Sequence, residues 1–265
     1  MPSSRWPTSV VVAHGAFHKA SQFDEFGKHL AELGLKPVVP QLPSSSATPP
    51  SDAFEADVEV LRAALVTELS AGHDVILLAH SYGGIPGCEA LEGLPEPCTP
   101  NVGRVLGIIF VSAFVAEEGQ NLITAKKGGP AEWVKRVGAL AYVNDAETTL
   151  FSSIEDIELR SSLAANMTAQ ALSSFVATVS YAGWQHYPTF YVRCEEDQAQ
   201  PADEQDHFIG RLKGCKTYVG QAAFEGADHC PHASMPRGLA LQVSMVKGLF
   251  EQAAEPEGAM VSNDT

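Results

Sequence analysis

Basic side chains are scarce in this sequence: 17 lysines and arginines stand against 32 aspartates and glutamates, a formal charge of −15. Nucleic acid and anionic membrane surfaces carry the same sign and gain nothing from such a field, so neither is an expected partner. Long apolar runs are missing as well. No window approaches the roughly eighteen apolar residues of a membrane span. The opening MPSSRWPTSVVVAHG has no apolar stretch ahead of its first strand that would mark a signal peptide. Cysteine is infrequent, with five residues scattered at positions 88, 98, 194, 215 and 230. That odd, dispersed set offers neither a disulfide framework nor a zinc-ligand spacing, and a reducing cytoplasm is the expected location.

What the chain does have is apolar material, 45% of 265 residues, enough for a substantial core. It is arranged in short, nearly continuous runs, the pattern of strands buried on both faces of a parallel sheet. These are SVVVAH (9–14), KPVVPQL (36–42), DVILLAH (74–80), RVLGIIFVSAF (104–114), PTFYVRC (188–194) and CKTYVG (215–220). Helical spacing separates them, as in Phe23, Phe26, Leu30 and Leu33, or Phe54, Val58, Leu61, Leu65 and Leu69, and again in Leu239, Val243, Val246 and Leu249. The alternation predicts an α/β fold with a mostly parallel, doubly wound sheet. It breaks once. Residues 116–185 hold no strong strand pattern but several helical ones, AEWVKRV (131–137), SIEDIELRSSL (153–163) and TAQALSSFVATVS (168–180), which predict an inserted helical cap. The core is then 1–115 with 186–252, and the small, polar tail 253–265 is expected to fray.

Ligands of open α/β sheets bind beyond the carboxyl ends of the strands, so polar residues there carry the most weight. AHSYGG (79–84) follows one strand end. Read alone it is either an ordinary turn or a nucleophile elbow, whose strained serine needs small residues two positions away on each side. Ala79 and Gly83 meet that need around Ser81. HGAFH (14–18) follows another strand; its turn can present the Ala16 amide, which with the Tyr82 amide would make an oxyanion hole. His14 is expected to brace this loop, and His18 either lines the pocket or lies on the surface. CEEDQAQP (194–201) supplies an acid and GADHCPH (226–232) a base. A serine hydroxyl needs an imidazole to take its proton, and the imidazole needs a carboxylate to hold its tautomer. Ser81, Asp197 and His229 occur in the chain order serine, acid, histidine.

With VVVAHGAFH, VILLAHSYGG, TFYVRCEEDQAQP and EGADH in this order, the chain resembles the α/β-hydrolase superfamily. The nearest pattern is the compact branch of plant methyl-ester hydrolases and hydroxynitrile lyases. The resemblance implies Ser81 as nucleophile, His229 as general base and acid, Asp197 as orienting carboxylate, and Ala16 and Tyr82 as oxyanion donors. Asp197 is preferred over its nearest competitor Glu196 because the family's acid stands four residues before a proline, here Pro201. Asp228 is expected to stabilise its loop. Related lyases carry threonine where this chain has Gly15 and lysine where it has Cys230, so the pattern is esterase-like. Cys230 is expected to be a small lining residue, and His232 has no assigned role.

The expectation is therefore a carboxylic-ester or lactone hydrolase with a small to medium, largely apolar substrate and no metal or organic cofactor. Phe17, His18, Trp133 and Tyr142 are the expected substrate contacts, among apolar cap residues that include Leu122, Phe151, Phe175 and Trp184. A lyase or cyclase step with the same triad, or a small-molecule receptor with little turnover, are the alternatives, since a fold does not fix a function. Assembly as a homodimer is left open.

Overall fold

The computed structural model describes residues 7–94, 101–128 and 131–253. Each apolar run forms a strand. In chain order these begin with β1 (Thr8–Ala13), β2 (Leu35–Val38), β3 (Asp74–His80) and β4 (Val105–Val111). Three short strands follow in the 116–185 segment: β5 (Val134–Val137), β6 (Leu140–Val143) and β7 (Gln170–Ala171). The chain then returns to the main sheet with β8 (Thr189–Cys194) and β9 (Tyr218–Phe224). The main sheet is six-stranded and parallel throughout, in the order β2-β1-β3-β4-β8-β9.

Burial explains why most of these strands could be read from sequence. Every residue of β1 and β3 is buried, because helices cover both faces. Helix α1 (Asp24–Glu32) and the helix Pro236–Ala253 pack one face through Phe26, Leu30, Leu239, Val243 and Val246. Helices α2 (Ala53–Ser70) and α3 (Gly84–Glu89), with the helix Ala202–Lys213, cover the other through Leu61, Leu65, Ile85, Phe208 and Leu212. The strand β9 starts later than CKTYVG predicts. It lies at the sheet edge with partly exposed residues, so its apolar signal is weaker.

The 116–185 segment is not wholly helical. AEWVKRV forms the strand β5, which pairs with β6 in an antiparallel hairpin. Trp133, Val134 and Val137 fit helical spacing equally well, and so short a run cannot distinguish the two. The turn decides. Gly138 has φ +60° and, with Ala139, makes a two-residue link between the paired Val137 and Leu140, the position at which glycine favours a tight hairpin. In TAQALSSFVATVS only Leu172–Val176 is helical, after β7 has paired with β6. SIEDIELRSSL does form a helix, Ile157–Ala165, capped by the Asp156 carboxylate on the Glu158 and Leu159 amides at 3.0 Å each. Most of the tail, 254–265, lies outside the described residues, as does Cys98.

Candidate active site

The chain leaves β3 through Ser81, whose φ is +52°, a left-handed conformation that is uncommon for a residue with a side chain. Such a turn closes only where the following backbone can come very near its neighbours. A Cβ on Gly83 would stand 2.0 Å from the Ala13 carbonyl oxygen, and one on Gly84 would stand 2.1 Å from that of Phe114. These contacts are with backbone, which cannot swing aside. AHSYGG therefore packs as an elbow, and its glycines are steric requirements.

Ser81, His229 and Asp197 form one hydrogen-bonded relay. His229 Nδ1 lies 2.8 Å from Asp197 Oδ2. The carboxylate can only accept, so Nδ1 carries the proton and Nε2 is left to accept from Ser81 Oγ at 2.9 Å. The other carboxylate oxygen accepts from the Ala199 and Gln200 amides at 2.8 Å each, which fixes Asp197 in its buried loop. Glu196, the competing acid, is exposed. Asp228 accepts from the Ser153 and Cys230 amides at 3.0 Å and from Ser234 Oγ at 2.8 Å, the loop-stabilising part expected of it.

Ala16 and Tyr82 share a pocket with Ser81 and His229. The Ala16 loop is held from both sides. His14 donates from Nδ1 to the Gly15 carbonyl at 2.8 Å and accepts the Leu42 amide on Nε2 at 3.0 Å, bracing the turn as expected. Burial lowers its pKa to about 4, so it remains neutral. Phe17, at φ +69°, donates its amide to Gln170 Oε1 at 3.3 Å, while its carbonyl accepts from the Thr168 amide at 2.8 Å. The 116–185 segment thus grips the loop that presents Ala16.

The rest of the pocket is mostly apolar. Phe17, Phe114, Leu122, Trp133, Leu172 and Phe175 line it, together with His18. Trp133 and Phe175 meet Phe17 edge-on, each with ring centroids 6.1 Å apart. Tyr142 is placed elsewhere. Side chains alternate along β6, so Ala141 turns inward and Tyr142 is left 38% exposed and away from the pocket. Phe151 and Trp184 are core residues, the latter donating its indole N–H to the Ala116 carbonyl at 2.7 Å.

Three groups that sequence alone did not mark stand around this site. Asp57 on α2 accepts Tyr82 Oη–H at 2.7 Å, the Ser44 amide at 2.9 Å and the Ser44 hydroxyl. Gln170 donates to Ser44 Oγ and Ser174 Oγ, at 2.8 Å each, and accepts from Ser45 Oγ at 2.6 Å. Together they form a buried polar network joining core to segment 116–185. His80 donates from Nε2 to the His229 carbonyl at 2.8 Å. Asp57 and Gln170 stand in no motif, and His80, although within AHSYGG, finds its partner far along the chain.

A six-stranded parallel sheet with a serine after β3, an acid after β8 and a histidine after β9 has the arrangement of an α/β-hydrolase fold. The chain belongs to the alpha/beta hydrolase family, whose model matches residues 10–242. It is 25% identical over 253 residues to the alpha/beta hydrolase nvfD of Aspergillus novofumigatus, covering 93% of this chain and 98% of that protein. Its fold is similar to that of a methylesterase from Arabidopsis (TM-score 0.68, 18% identity, 91% of this chain and 99% of the other). It is likewise similar to a pyrethroid hydrolase from Sphingobium faniae JZ-2 (TM-score 0.67, 18% identity, 91% and 97%). Membership of this family supports hydrolytic chemistry in general. Among the described residues no helix is long and apolar enough to cross a membrane.

Proposed function

We propose that the protein is a serine hydrolase that cleaves small to medium, largely apolar esters or lactones through an acyl-enzyme. The observation that carries this reading is the Asp197–His229–Ser81 relay opening onto an apolar pocket. Ser81 Oγ attacks the substrate carbonyl carbon as its proton passes to His229 Nε2. Asp197 remains ionised and stabilises the imidazolium so formed. The negative charge on the former carbonyl oxygen is taken up by the Ala16 and Tyr82 amides. Collapse of the tetrahedral intermediate expels the alkoxide, which receives the proton from His229, and a water activated by the same imidazole releases the acid. Residues 116–185 serve as a cap, with Trp133 and Phe175 contacting the apolar part of the substrate.

Gly15 supports ester cleavage over a lyase step. A Cβ there would stand 2.8 Å from His80 Nδ1 and 3.1 Å from Ser81 Cβ, so the threonine of the related lyases does not fit this packing. Turnover of p-nitrophenyl acetate tests the proposal. The wild type should hydrolyse it, and Ser81→Ala should lower kcat by at least about a thousandfold. Turnover unchanged in Ser81→Ala would overturn the mechanism, and ligand binding without any turnover would favour a receptor.

A further inference from the structure

Behind the catalytic histidine lies a group of side chains that the relay does not use. His18, Cys230 and His232 are all buried, and one nitrogen of each ring and the Cys230 sulfur lie within 4.8 Å of one another. His18 comes from the turn after β1, whereas Cys230 and His232 both lie in the segment just after His229, so only the fold brings the three together. His18 donates from Nδ1 to the Ala16 carbonyl at 2.9 Å, which leaves Nε2 to accept from the Cys230 S–H at 3.4 Å. A ring held by a backbone carbonyl with its other nitrogen presented is the arrangement that metal-binding histidines adopt. His232 supplies the independent observation. It is 1% exposed and stacks on Phe23 at 3.8 Å between centroids, yet neither ring nitrogen has a hydrogen-bond partner among the described residues. Two unsatisfied polar atoms in a native interior call for an explanation.

We propose that His18, Cys230 and His232 form a binding site for a soft d10 cation of the Zn2+ kind. Two imidazole nitrogens and one thiolate are the donor types such an ion selects. Metal–nitrogen bonds of about 2.0 Å and a metal–sulfur bond of about 2.3 Å require the widest pair to close by roughly an ångström, within reach of side-chain rotation. The Cys230 S–H bond breaks as the S–metal bond forms, and the proton leaves to solvent. The nearby Asp228 and Asp197 carboxylates favour the added positive charge. His18 also lines the substrate pocket, which gives the ion a route inward. Occupancy has a consequence that rests on the proposed hydrolysis. Cys230 directly follows His229 in the chain, so closing the three ligands on an ion shifts the loop that carries the His229 imidazole and slows turnover.

Titration of the full chain with Zn2+ followed by calorimetry, and with Cd2+ followed by ultraviolet absorption, tests the site without reference to activity. One Zn2+ should bind, and Cd2+ should raise a thiolate-to-metal band that is absent in Cys230→Ser. His232→Phe, which keeps the stack on Phe23, should weaken both ions by at least about tenfold. Zn2+ should inhibit ester hydrolysis by the wild type, reversibly with EDTA, and leave His232→Phe active. No binding by the wild type, or binding undiminished in both variants, overturns the site. Binding that passes these checks in a protein without esterase activity upholds the site and counts only against the hydrolase reading.

Discussion

Each member of the relay is held by partners that leave it one chemical part to play. Asp197 spends one oxygen on two backbone amides and the other on His229, and in the proposed reaction it would orient the imidazole rather than take its proton. Asp197→Asn keeps the shape but favours the opposite tautomer, and should lower kcat by about ten-thousandfold. Glu196→Gln, at an exposed position one residue away, should leave kcat within about twofold of wild type, because an exposed group has no grip on the relay. Steady-state kinetics of the pair distinguishes the two acids. Gly83→Ala tests the elbow. The added methyl meets the Ala13 carbonyl, so the serine must shift. The variant should lose activity together with about 1–3 kcal/mol or more of stability in denaturant unfolding. At this scale much of the site was legible. Ser81, Asp197 and His229 stand in motifs at strand ends, and local spacing is enough to see them. Tyr142 was misplaced because facing cannot be read until the element type is known, and His232 and Gln170 were missed because their neighbours are far away in sequence.

Among the elements, the inner parallel strands β1, β3, β4 and β8 could be read because burial on both faces leaves them almost uniformly apolar, whereas the hairpin β5–β6 is half exposed and short. Its sign was Gly138, not its hydrophobic pattern. The strand β7 could not be read at all, since two residues carry no periodicity. One tie to the core runs from Gln170 of β7 to Ser44 and on to Asp57. Burial raises the Asp57 carboxyl from 3.8 to about 6, against the hydrogen bonds from Ser44 and Tyr82 that favour its ionised form. In the unfolded chain it titrates near 3.8. Between these values the folded state holds the extra proton, so the stability linked to Asp57 is full below about pH 4 and is lost as pH rises through 6. Relative to Asp57→Asn, the wild type should therefore lose about 3 kcal/mol between about pH 3 and pH 7 and stay level above it. Chemical denaturation of both proteins across that range reads the difference. A constant gap would mean that Asp57 is ionised throughout.

For the molecule as a whole, the doubly wound sheet explains how residues more than a hundred positions apart reach one pocket. The chain turns at the carboxyl ends of β1, β3, β8 and β9, and those turns supply Ala16, Ser81, Asp197 and His229. The scaffold places the hydrogen-bonded relay, while residues 116–185 and the Ala16 loop shape the pocket in front of it. The proposed mechanism stands on Ser81 Oγ being the nucleophile of this assembly. A p-nitrophenyl alkylphosphonate tests it most directly, because it reacts with an activated serine and leaves a stable adduct. Intact-protein and peptide mass spectrometry should find one phosphonyl group per chain, on Ser81, with none on the Ser81→Ala variant. Label on a different residue, or an unlabelled protein that still turns over p-nitrophenyl acetate, would contradict the account.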